Sequence, residues 1–225
     1  SAACGWNHSL ALTGTVSAAL NILIHEIREG VIFAWGNNDH GQLGCEVISY
    51  GASSTSDPSS ATIKRPFKFK AKQTVKSAHQ LTPVKQCIAR PVQYIACGMR
   101  HSAAIDGKNN SNHKKNFTSL DNGMACMWGQ GKFGQLSLGD TCQDVKVPTQ
   151  LSASLFHDKK ILKIACGARH TIFLTGNQKT FFGSSAAYDI LETGDVYACG
   201  SNTYGQLGIG QKTNNHTRPV LIETL

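Results

Sequence analysis

Three histidines recur in the same short context and have the chemistry of metal ligands. His8, His101 and His170 each follow a Gly-x-x turn and open an apolar run. Zinc accepts imidazole nitrogens, usually together with thiolate or carboxylate ligands. No carboxylate recurs beside these histidines, and an imidazole at the start of a strand can instead hydrogen-bond backbone carbonyls or an adjacent repeat. We therefore expect structural histidines and no metal site.

Residues Gly129 to Gly134 match the G-x-G-x-x-G pattern of dinucleotide-binding sites. Such a site needs a helix N-terminus to receive the pyrophosphate, and the residues that follow, QLSLGDTCQ, do not have a helical pattern. The sequence also contains no G-x-S-x-G, no H-E-x-x-H and no recurring pair of carboxylates. We predict no catalytic centre, no cofactor and no small-molecule substrate.

The eight cysteines raise the question of disulfides, but their spacing does not favour them. There is no C-x-x-C pair, and Cys4, Cys97 and Cys166 occupy the same position in successive copies of one motif. Equivalent positions in successive repeats lie a whole structural unit apart, so they are poorly placed to bridge one another. The N-terminus also lacks the layout of a signal peptide. We predict an intracellular protein, cytoplasmic, nuclear or both.

These residues belong to two phrases that recur together three times. The first reads ACGWNHSLALT, ACGMRHSAAI and ACGARHTIFLT; the second reads WGNNDHGQLG, WGQGKFGQLSLG and CGSNTYGQLGIG. From the histidine of the first phrase to the glutamine of the second there are 34, 34 and 36 residues, so the two phrases belong to one folded unit. The repeated positions are Cys4, Gly5, His8, Trp35, Gly36, Gly41, Gln42, Cys97, Gly98, His101, Trp128, Gly129, Gly134, Gln135, Cys166, Gly167, His170, Gly200, Gly205 and Gln206.

Each unit has the strand pattern of a β-propeller blade. Short apolar runs such as YIACG, HTIFL and VIFAWG are bounded by glycine, which is typical of strands. The spacing of the copies is consistent with a core repeat of roughly 50 residues that is lengthened by inserted loops. Repeats of this length are typical of propellers and solenoids. Four short antiparallel strands per unit give an all-β propeller blade. Leu43, Leu136 and Leu207 are expected to be buried, with the neighbouring glutamines capping the backbone.

The pairing of the two phrases resembles the repeat of the regulator of chromosome condensation family, and its secretion-regulating guanine nucleotide exchange factor subgroup in particular. The resemblance implies a seven-bladed propeller, of which about three blades are present here. It also leads us to expect a fragment of a longer protein. Cys199 in place of tryptophan, and Ser137 with Leu138 in place of the usual glycine pattern, mark a divergent member.

The repeat cores lie near residues 3–44, 95–139 and 164–210, with insertions between their parts. Insertions 106–123 and 176–194 are loops, and the second carries Phe181, Phe182 and Tyr188, which either dock a partner or fold back onto the blade. A longer basic insertion covers residues 45–92. No apolar run reaches the 18 residues of a membrane span, so no membrane span is expected.

The basic insertion carries most of the chain's excess positive charge, which is +8 overall. No acidic residue occurs from Pro58 to Ile105, and the segment IKRPFKFKAK alternates apolar with basic positions. The pattern favours a blade's outer strand with lysines in water; the alternatives are a phosphate or nucleic-acid contact and a nuclear-import segment. The candidate contact residues are Lys64, Arg65, Lys68, Lys70 and Lys72.

Three functions remain open at this point. The family resemblance implies a protein-interaction propeller whose partner is a small GTPase. Nucleotide exchange needs no nucleophile or general base, because the exchange factor acts by binding the nucleotide-free GTPase more tightly. The second possibility is chromatin or nucleic-acid binding through the basic insertion. The third is a regulatory propeller within a larger protein, such as a HECT-type ubiquitin ligase.

Overall fold

The computed structural model describes residues 1–13, 30–45, 77–84, 91–107, 123–139, 142–176, 178–182, 187–191 and 194–223. Within these ranges the chain forms fourteen β-strands and one short 3-10 helix, with no α-helix. The strands make three four-stranded antiparallel sheets and one separate two-stranded sheet. The predicted fold class, all-β with four-stranded antiparallel blades, is confirmed.

Each four-stranded sheet is one blade, and its strands follow chain order across the sheet. Blade 1 contains β1 (Ala2–Cys4), β2 (His8–Leu12), β3 (Ile32–Asn37) and β4 (Ser77–Pro83). Blade 2 contains β5 (Val92–Cys97), β6 (His101–Asp106), β7 (Ala125–Gly129) and β8 (Val145–Gln150). The 3-10 helix (Ala153–Phe156) leads to blade 3, which contains β9 (Lys160–Cys166), β10 (His170–Gly176), β13 (Val196–Gly200) and β14 (His216–Ile222). The separate hairpin is β11 (Gln178–Phe182) with β12 (Ala187–Leu191).

Both repeated phrases turn the chain at the same end of each blade. His8 pairs with Gly36, so the start of β2 and the end of β3 lie side by side. Gly36 pairs in turn with Ala78 near the start of β4. His101 with Gly129 and His170 with Gly200 repeat this register in the other blades. We call this end of the three blades the turn face.

The apolar core lies between blades rather than within one of them. In blade 2, Ala104, Cys126 and Trp128 pack with Leu10 and Leu43 of blade 1. The alternate positions Ala103, Ile105 and Met127 pack with Phe173 and Tyr197 of blade 3. Strands β6 and β7 are therefore buried along their whole length, whereas β2 alternates between buried and half-buried residues. This alternation is the period of two that a strand between two packed layers requires.

In the described residues the outer strand of blade 1 is Ser77–Pro83. The expectation that IKRPFKFKAK forms an outer strand falls outside the described residues. The candidate contact residues Lys64, Arg65, Lys68, Lys70 and Lys72 lie outside the described residues, as does most of 106–123. The insertion at 176–194 forms the β11–β12 hairpin, which is a sheet of its own.

The described cysteines are free except for Cys126. Cys4, Cys97 and Cys166, at the repeated position, are free, as their spacing indicated. Cys126 is disulfide-bonded. The sequence analysis missed this bond because Cys126 lies outside the repeated cysteine positions. In the described part of the chain, no helix is long and apolar enough to cross a membrane.

Candidate interaction surface at the turn face

Each Gly-Gln-Leu turn is held by the glutamine side chain of its own phrase, and in blades 1 and 3 also by an asparagine side chain. In blade 1 the Gln42 side-chain oxygen accepts the His40 amide at 2.9 Å, and Asn38 Oδ1 accepts the Leu43 amide at 3.0 Å. The same glutamine contact recurs at 2.9 Å from Phe133 and at 2.8 Å from Tyr204. The expected glutamine capping is thus confirmed, as is the burial of the three leucines, Leu43, Leu136 and Leu207.

The contact between blades 1 and 2, which we call seam 1/2, centres on the Gln42 carbonyl. Ser102 Oγ donates to it at 2.8 Å and the Trp128 indole N–H donates at 2.9 Å. His8 Nε2 lies 2.9 Å from the same Ser102 hydroxyl. Because the single Ser102 proton goes to the carbonyl, His8 Nε2 is the donor in this pair. His8 therefore ties blade 1 to blade 2 through hydrogen bonds.

Seam 2/3 repeats this arrangement one blade further along. Thr171 Oγ1 donates to the Gln135 carbonyl at 2.8 Å and lies 3.0 Å from His101 Nε2. The second donor to that carbonyl is the Cys199 thiol, at 3.5 Å, in the position that Trp128 holds at seam 1/2. The carbonyl keeps two donors although the tryptophan is absent.

The two departures from the repeat, Cys199 and Ser137, are in contact. A Cβ atom on Gly44 would lie 2.7 Å from Trp128 Nε1, so the tryptophan at seam 1/2 requires a glycine there. At seam 2/3 the equivalent residue is Ser137, and its hydroxyl donates to Cys199 Sγ at 2.7 Å. Ser137 adopts a φ of 57°, the conformation that the glycine supplies elsewhere. The smaller thiol leaves room for the serine, so the two changes compensate one another.

The seam histidines are neutral at physiological pH. Burial lowers the pKa of His8 to about 4, against a smaller opposing effect of a hydrogen bond to the His101 backbone. Burial, with smaller repulsion from His8 and His170, lowers the pKa of His101 to about 3. Desolvation disfavours the imidazolium ion in both cases. These residues are buried hydrogen-bonding groups rather than proton-transfer groups at pH 7.

A polar cluster that the sequence analysis missed lies on the turn face at seam 1/2. His40 Nδ1 is 2.7 Å from Asp144 Oδ2, and Arg100 Nη1 is 3.2 Å from His40 Nε2. Asp144 also accepts the Gly131 amide at 3.1 Å. A carboxylate that orients a histidine is one part of a catalytic triad, but here the far nitrogen accepts a guanidinium donor instead of facing a nucleophile. The cluster joins two blades and does no acid–base chemistry in this arrangement.

The outer part of the turn face is cationic and aromatic. Trp6 is 71% exposed, and Arg100, Lys132 and Arg169 are also exposed in turns at this end of the blades. The Arg169 guanidinium lies 4.6 Å from the centre of the Phe133 ring. Aromatic residues and arginine are the types enriched at the centres of protein–protein interfaces.

The basic insertion leaves and rejoins blade 1 at this same face. Residue 45 directly follows the Gly-Gln-Leu-Gly turn, and Ser77 pairs with Asn37 at the turn end of β3. Insertions 106–123 and 176–194 leave from the opposite end, after β6 and β10. Residue 45 and Ser77, which flank residues 46–76, therefore lie at the same end of the blades as the exposed Trp6.

In the described residues the glycine-rich stretch forms a turn of the repeat, and no cluster of metal ligands is present. The G-x-G-x-x-G stretch lies in the turn after β7, where Gly134 N donates to the Gly131 carbonyl at 2.8 Å. In the ranges that the structure covers, no group of three His, Cys, Asp or Glu side chains has the arrangement of a metal site. The turn face is the candidate functional surface.

These features define a repeat propeller built from blades that interlock through their turns. The family model described as "Regulator of chromosome condensation (RCC1) repeat" matches residues 29–105, 122–174 and 193–225. Those ranges cover well over half of the chain, and the protein belongs to this family.

Curated relatives span several kinds of protein. The chain is 29% identical over 206 residues to the probable E3 ubiquitin-protein ligase HERC4 of Rattus norvegicus, covering 92% of this chain and 13% of that protein. It is 29% identical over 194 residues to the secretion-regulating guanine nucleotide exchange factor of Bos taurus, covering 86% of this chain and 29% of that one. The chain thus spans less than a third of the length of either relative.

A solved structure shows the same fold. Prp20p from Saccharomyces cerevisiae superposes with a TM-score of 0.59 at 16% identity, covering all of this chain and 38% of that one. At this level of identity the likeness concerns the fold alone.

Proposed function

We propose that the turn face binds a small GTPase and that the chain forms part of a guanine nucleotide exchange factor. The observation that supports this most is the similarity to the secretion-regulating guanine nucleotide exchange factor over 86% of the chain. Exchange requires a surface that binds the nucleotide-free GTPase more tightly than the nucleotide-bound form, and it requires no catalytic side chain.

The turn face has the chemistry of such a surface. Trp6 is an exposed aromatic side chain on this face, and Lys132 and Arg169 supply exposed positive charge on the same face. A partner with an acidic patch would be attracted by these cations and would bury the indole on contact. We therefore expect the GTPase to present acidic side chains to the turn face.

The test measures binding of the chain to a panel of small GTPases, in GDP-loaded and nucleotide-free forms, together with the release rate of a fluorescent GDP analogue. We expect one GTPase to bind preferentially without nucleotide and to release the analogue faster. Trp6→Ala and Lys132→Glu should each weaken binding about tenfold, as interface residues do. Tyr94→Ala is the matched control, because Tyr94 is also exposed but lies on β5. If no GTPase in the panel binds either way, the proposal is wrong.

A second candidate function is nucleic-acid or chromatin binding through the basic insertion. The observation that favours it is the absence of acidic residues from 58 to 105, together with an attachment at the turn face. Binding through Lys68, Lys70 and Lys72 would weaken steeply with salt and would be lost when all three are changed to alanine. Both candidate functions are intracellular, and we place the protein in the cytoplasm, the nucleus or both.

The third candidate is the regulatory propeller of a ubiquitin ligase. It is favoured by the similarity to HERC4, which covers 92% of this chain. The GTPase panel separates this candidate from the first, because a ligase propeller would bind its partner without preference for the nucleotide-free form.

A further inference from the structure

Three hydrogen-bonded side chains cross seam 1/2 on the turn face and end at an exposed arginine. Asp144 Oδ2 lies 2.7 Å from His40 Nδ1, and His40 Nε2 lies 3.2 Å from Arg100 Nη1. Asp144 directly precedes β8, His40 directly precedes the glycine of Gly-Gln-Leu in blade 1, and Arg100 lies in the turn between β5 and β6.

The direction of these hydrogen bonds fixes the state of the imidazole. A guanidinium only donates, so His40 Nε2 accepts from Arg100 and carries no proton. The ring proton is therefore on Nδ1, which donates to the Asp144 carboxylate. Gln130 Nε2 lies 3.5 Å from His40 Nε2 as a further donor. The arrangement requires a neutral imidazole, because an imidazolium has no lone pair at Nε2.

The contact with His40 uses only part of the Arg100 guanidinium. Among the described residues the group has no other partner, so its remaining N–H donors are available on the exposed face. Two parallel N–H donors of an arginine match the two oxygens of a carboxylate, and the resulting hydrogen bonds are charge-assisted. A side chain that is already held in place also loses less conformational entropy on binding.

The charged groups around His40 decide what its protonation would do. Asp39 lies in the same turn, and Lys146 of β8 packs against that turn. An imidazolium would be attracted to Asp144 and repelled by Arg100. Lys146 adds to the repulsion, and the Asp39 carboxylate opposes it. The ring can keep its hydrogen bond to Asp144 in either state, so Arg100 is the group that protonation releases.

We propose that Arg100 binds a carboxylate of a protein partner at the turn face, and that His40 and Asp144 are positioning residues that hold its guanidinium for this contact. The partner presents an acidic segment with an exposed Asp or Glu side chain. The inference rests on the proposed function only in taking the turn face as the surface that meets a protein. Uptake of a proton by His40, in the pH range where histidines titrate, frees Arg100 and weakens binding.

The first test needs no partner. In the free chain at pH 7.5, the imidazole nitrogen NMR signals of His40 should show a protonated Nδ1 and an unprotonated Nε2. The opposite tautomer would overturn the proposal, because Arg100 could not then donate to Nε2.

The second test uses hexaglutamate as the probe, in an NMR titration read from the Gln130 and Gly131 amides. These amides report on this site, whereas the total affinity would include the lysines of the basic insertion. Arg100→Ala should weaken binding about tenfold at pH 7.5. Arg100→Lys should weaken it about threefold, since lysine keeps the charge but lacks the planar fork. Lys163→Ala removes an exposed positive charge from β9 and is the charge-matched control.

The pH profile separates positioning from a purely structural role. Between pH 7.5 and pH 6 the wild type should bind about three- to tenfold more weakly, the effect of losing a preordered side chain. Glutamate stays ionised over this range. His40→Gln offers a neutral acceptor to Arg100 and a donor to Asp144 at both pH values, so it should lose the pH dependence. This variant keeps the buried His8 and His101, so acid destabilisation of the fold would affect it as well.

A conservative replacement tests Asp144. Asp144→Ala should weaken binding about threefold at pH 7.5, because the imidazole is no longer held. Asp144→Asn should recover most of this loss, since its amide oxygen still accepts the Nδ1 proton. The proposal is overturned if Arg100→Ala binds hexaglutamate as tightly as the wild type, or if His40→Gln keeps the pH dependence.

The outcome is distinct from that of the GTPase panel. If no GTPase binds but hexaglutamate binding depends on Arg100 and His40, the proposed function fails and this inference stands. If a GTPase binds and Arg100→Ala weakens neither its binding nor that of hexaglutamate, this inference fails and the proposed function stands.

Discussion

In both seams the backbone carbonyl of the repeated glutamine accepts two hydrogen bonds, but the side chain that donates the second bond differs between seams 1/2 and 2/3. At seam 1/2, Trp128 fills the space and donates to the Gln42 carbonyl, next to Gly44. At seam 2/3 a thiol donates to the equivalent carbonyl, next to Ser137. The repeat therefore preserves the hydrogen bonds of the acceptor rather than the side chain that makes them.

The two seams also differ in which aromatic side chains fill their apolar cores. Among the described residues, Trp128 is the single aromatic member of the core cluster at seam 1/2. At seam 2/3, Phe156, Phe173 and Tyr197 are all fully buried, and the Phe156 ring lies 5.0 Å from Phe173 and 5.4 Å from Tyr197. Packing is concentrated in one side chain at the first seam and is shared among several at the second.

The largest expected effect is a loss of stability at low pH, to which both seams contribute. The folded-state pKa values of His8 and His101, about 4 and about 3, lie below the ordinary 6.5. Between pH 6.5 and these values the unfolded chain binds protons on both histidines, whereas in the folded chain both histidines stay unprotonated. The free energy of unfolding therefore falls as the pH drops from about 6.5 towards these values. Each histidine contributes a slope of about 1.4 kcal/mol per pH unit.

Urea unfolding at pH 7 and at pH 4.5 measures this effect. We expect a loss of about 4 to 5 kcal/mol from the two seams together, comparable to the whole stability of many domains. His8→Gln removes one of the two titrating groups and should halve the slope. A free energy of unfolding that stays level between pH 6.5 and 4.5 would show that the seam histidines are not buried as neutral groups.

The next effect separates the seams. Trp128→Ala removes the only aromatic side chain of its core cluster and one donor to the Gln42 carbonyl, so it should cost about 3 to 5 kcal/mol. Cys199→Ala removes only a small thiol, and the aromatic side chains of that seam remain in place. The substitution should lower the free energy of unfolding by about 1 kcal/mol. Chemical denaturation of both variants gives the comparison, with the exposed Trp6→Ala as control. Equal costs for Trp128→Ala and Cys199→Ala would contradict the contrast between the seams.

The repeated phrases carried enough information to predict the blades, the buried leucines and a hydrogen-bonding role for the histidines, but not whether the histidine partner is the backbone or the adjacent repeat. Each of these features depends on positions that recur, such as His8 and His101 or Leu43 and Leu136. Recurrence identifies a residue whose surroundings also recur, even without an alignment of relatives. The G-x-G-x-x-G stretch was assigned to a turn for the same reason.

The unrepeated contacts were not predictable. His40 and Asp144 lie 104 residues apart, and no pattern connects them. Ser137 and Cys199 each stood out as a departure, but their contact depends on how blade 2 packs on blade 3. Strand β4, SAHQLTP, lacks the apolar alternation of the other strands, so the basic IKRPFKFKAK segment was the better pattern for an outer strand.

The most direct test of the compensation between Cys199 and Ser137 is a double-mutant cycle. Cys199→Trp alone should destabilise the chain by about 1 to 3 kcal/mol, because the ring meets the serine where seam 1/2 has a glycine. Adding Ser137→Gly should recover at least about 1 kcal/mol, giving a coupling free energy of about 1 to 2 kcal/mol. Strictly additive free energies of unfolding would contradict the account, because the two departures would then be independent.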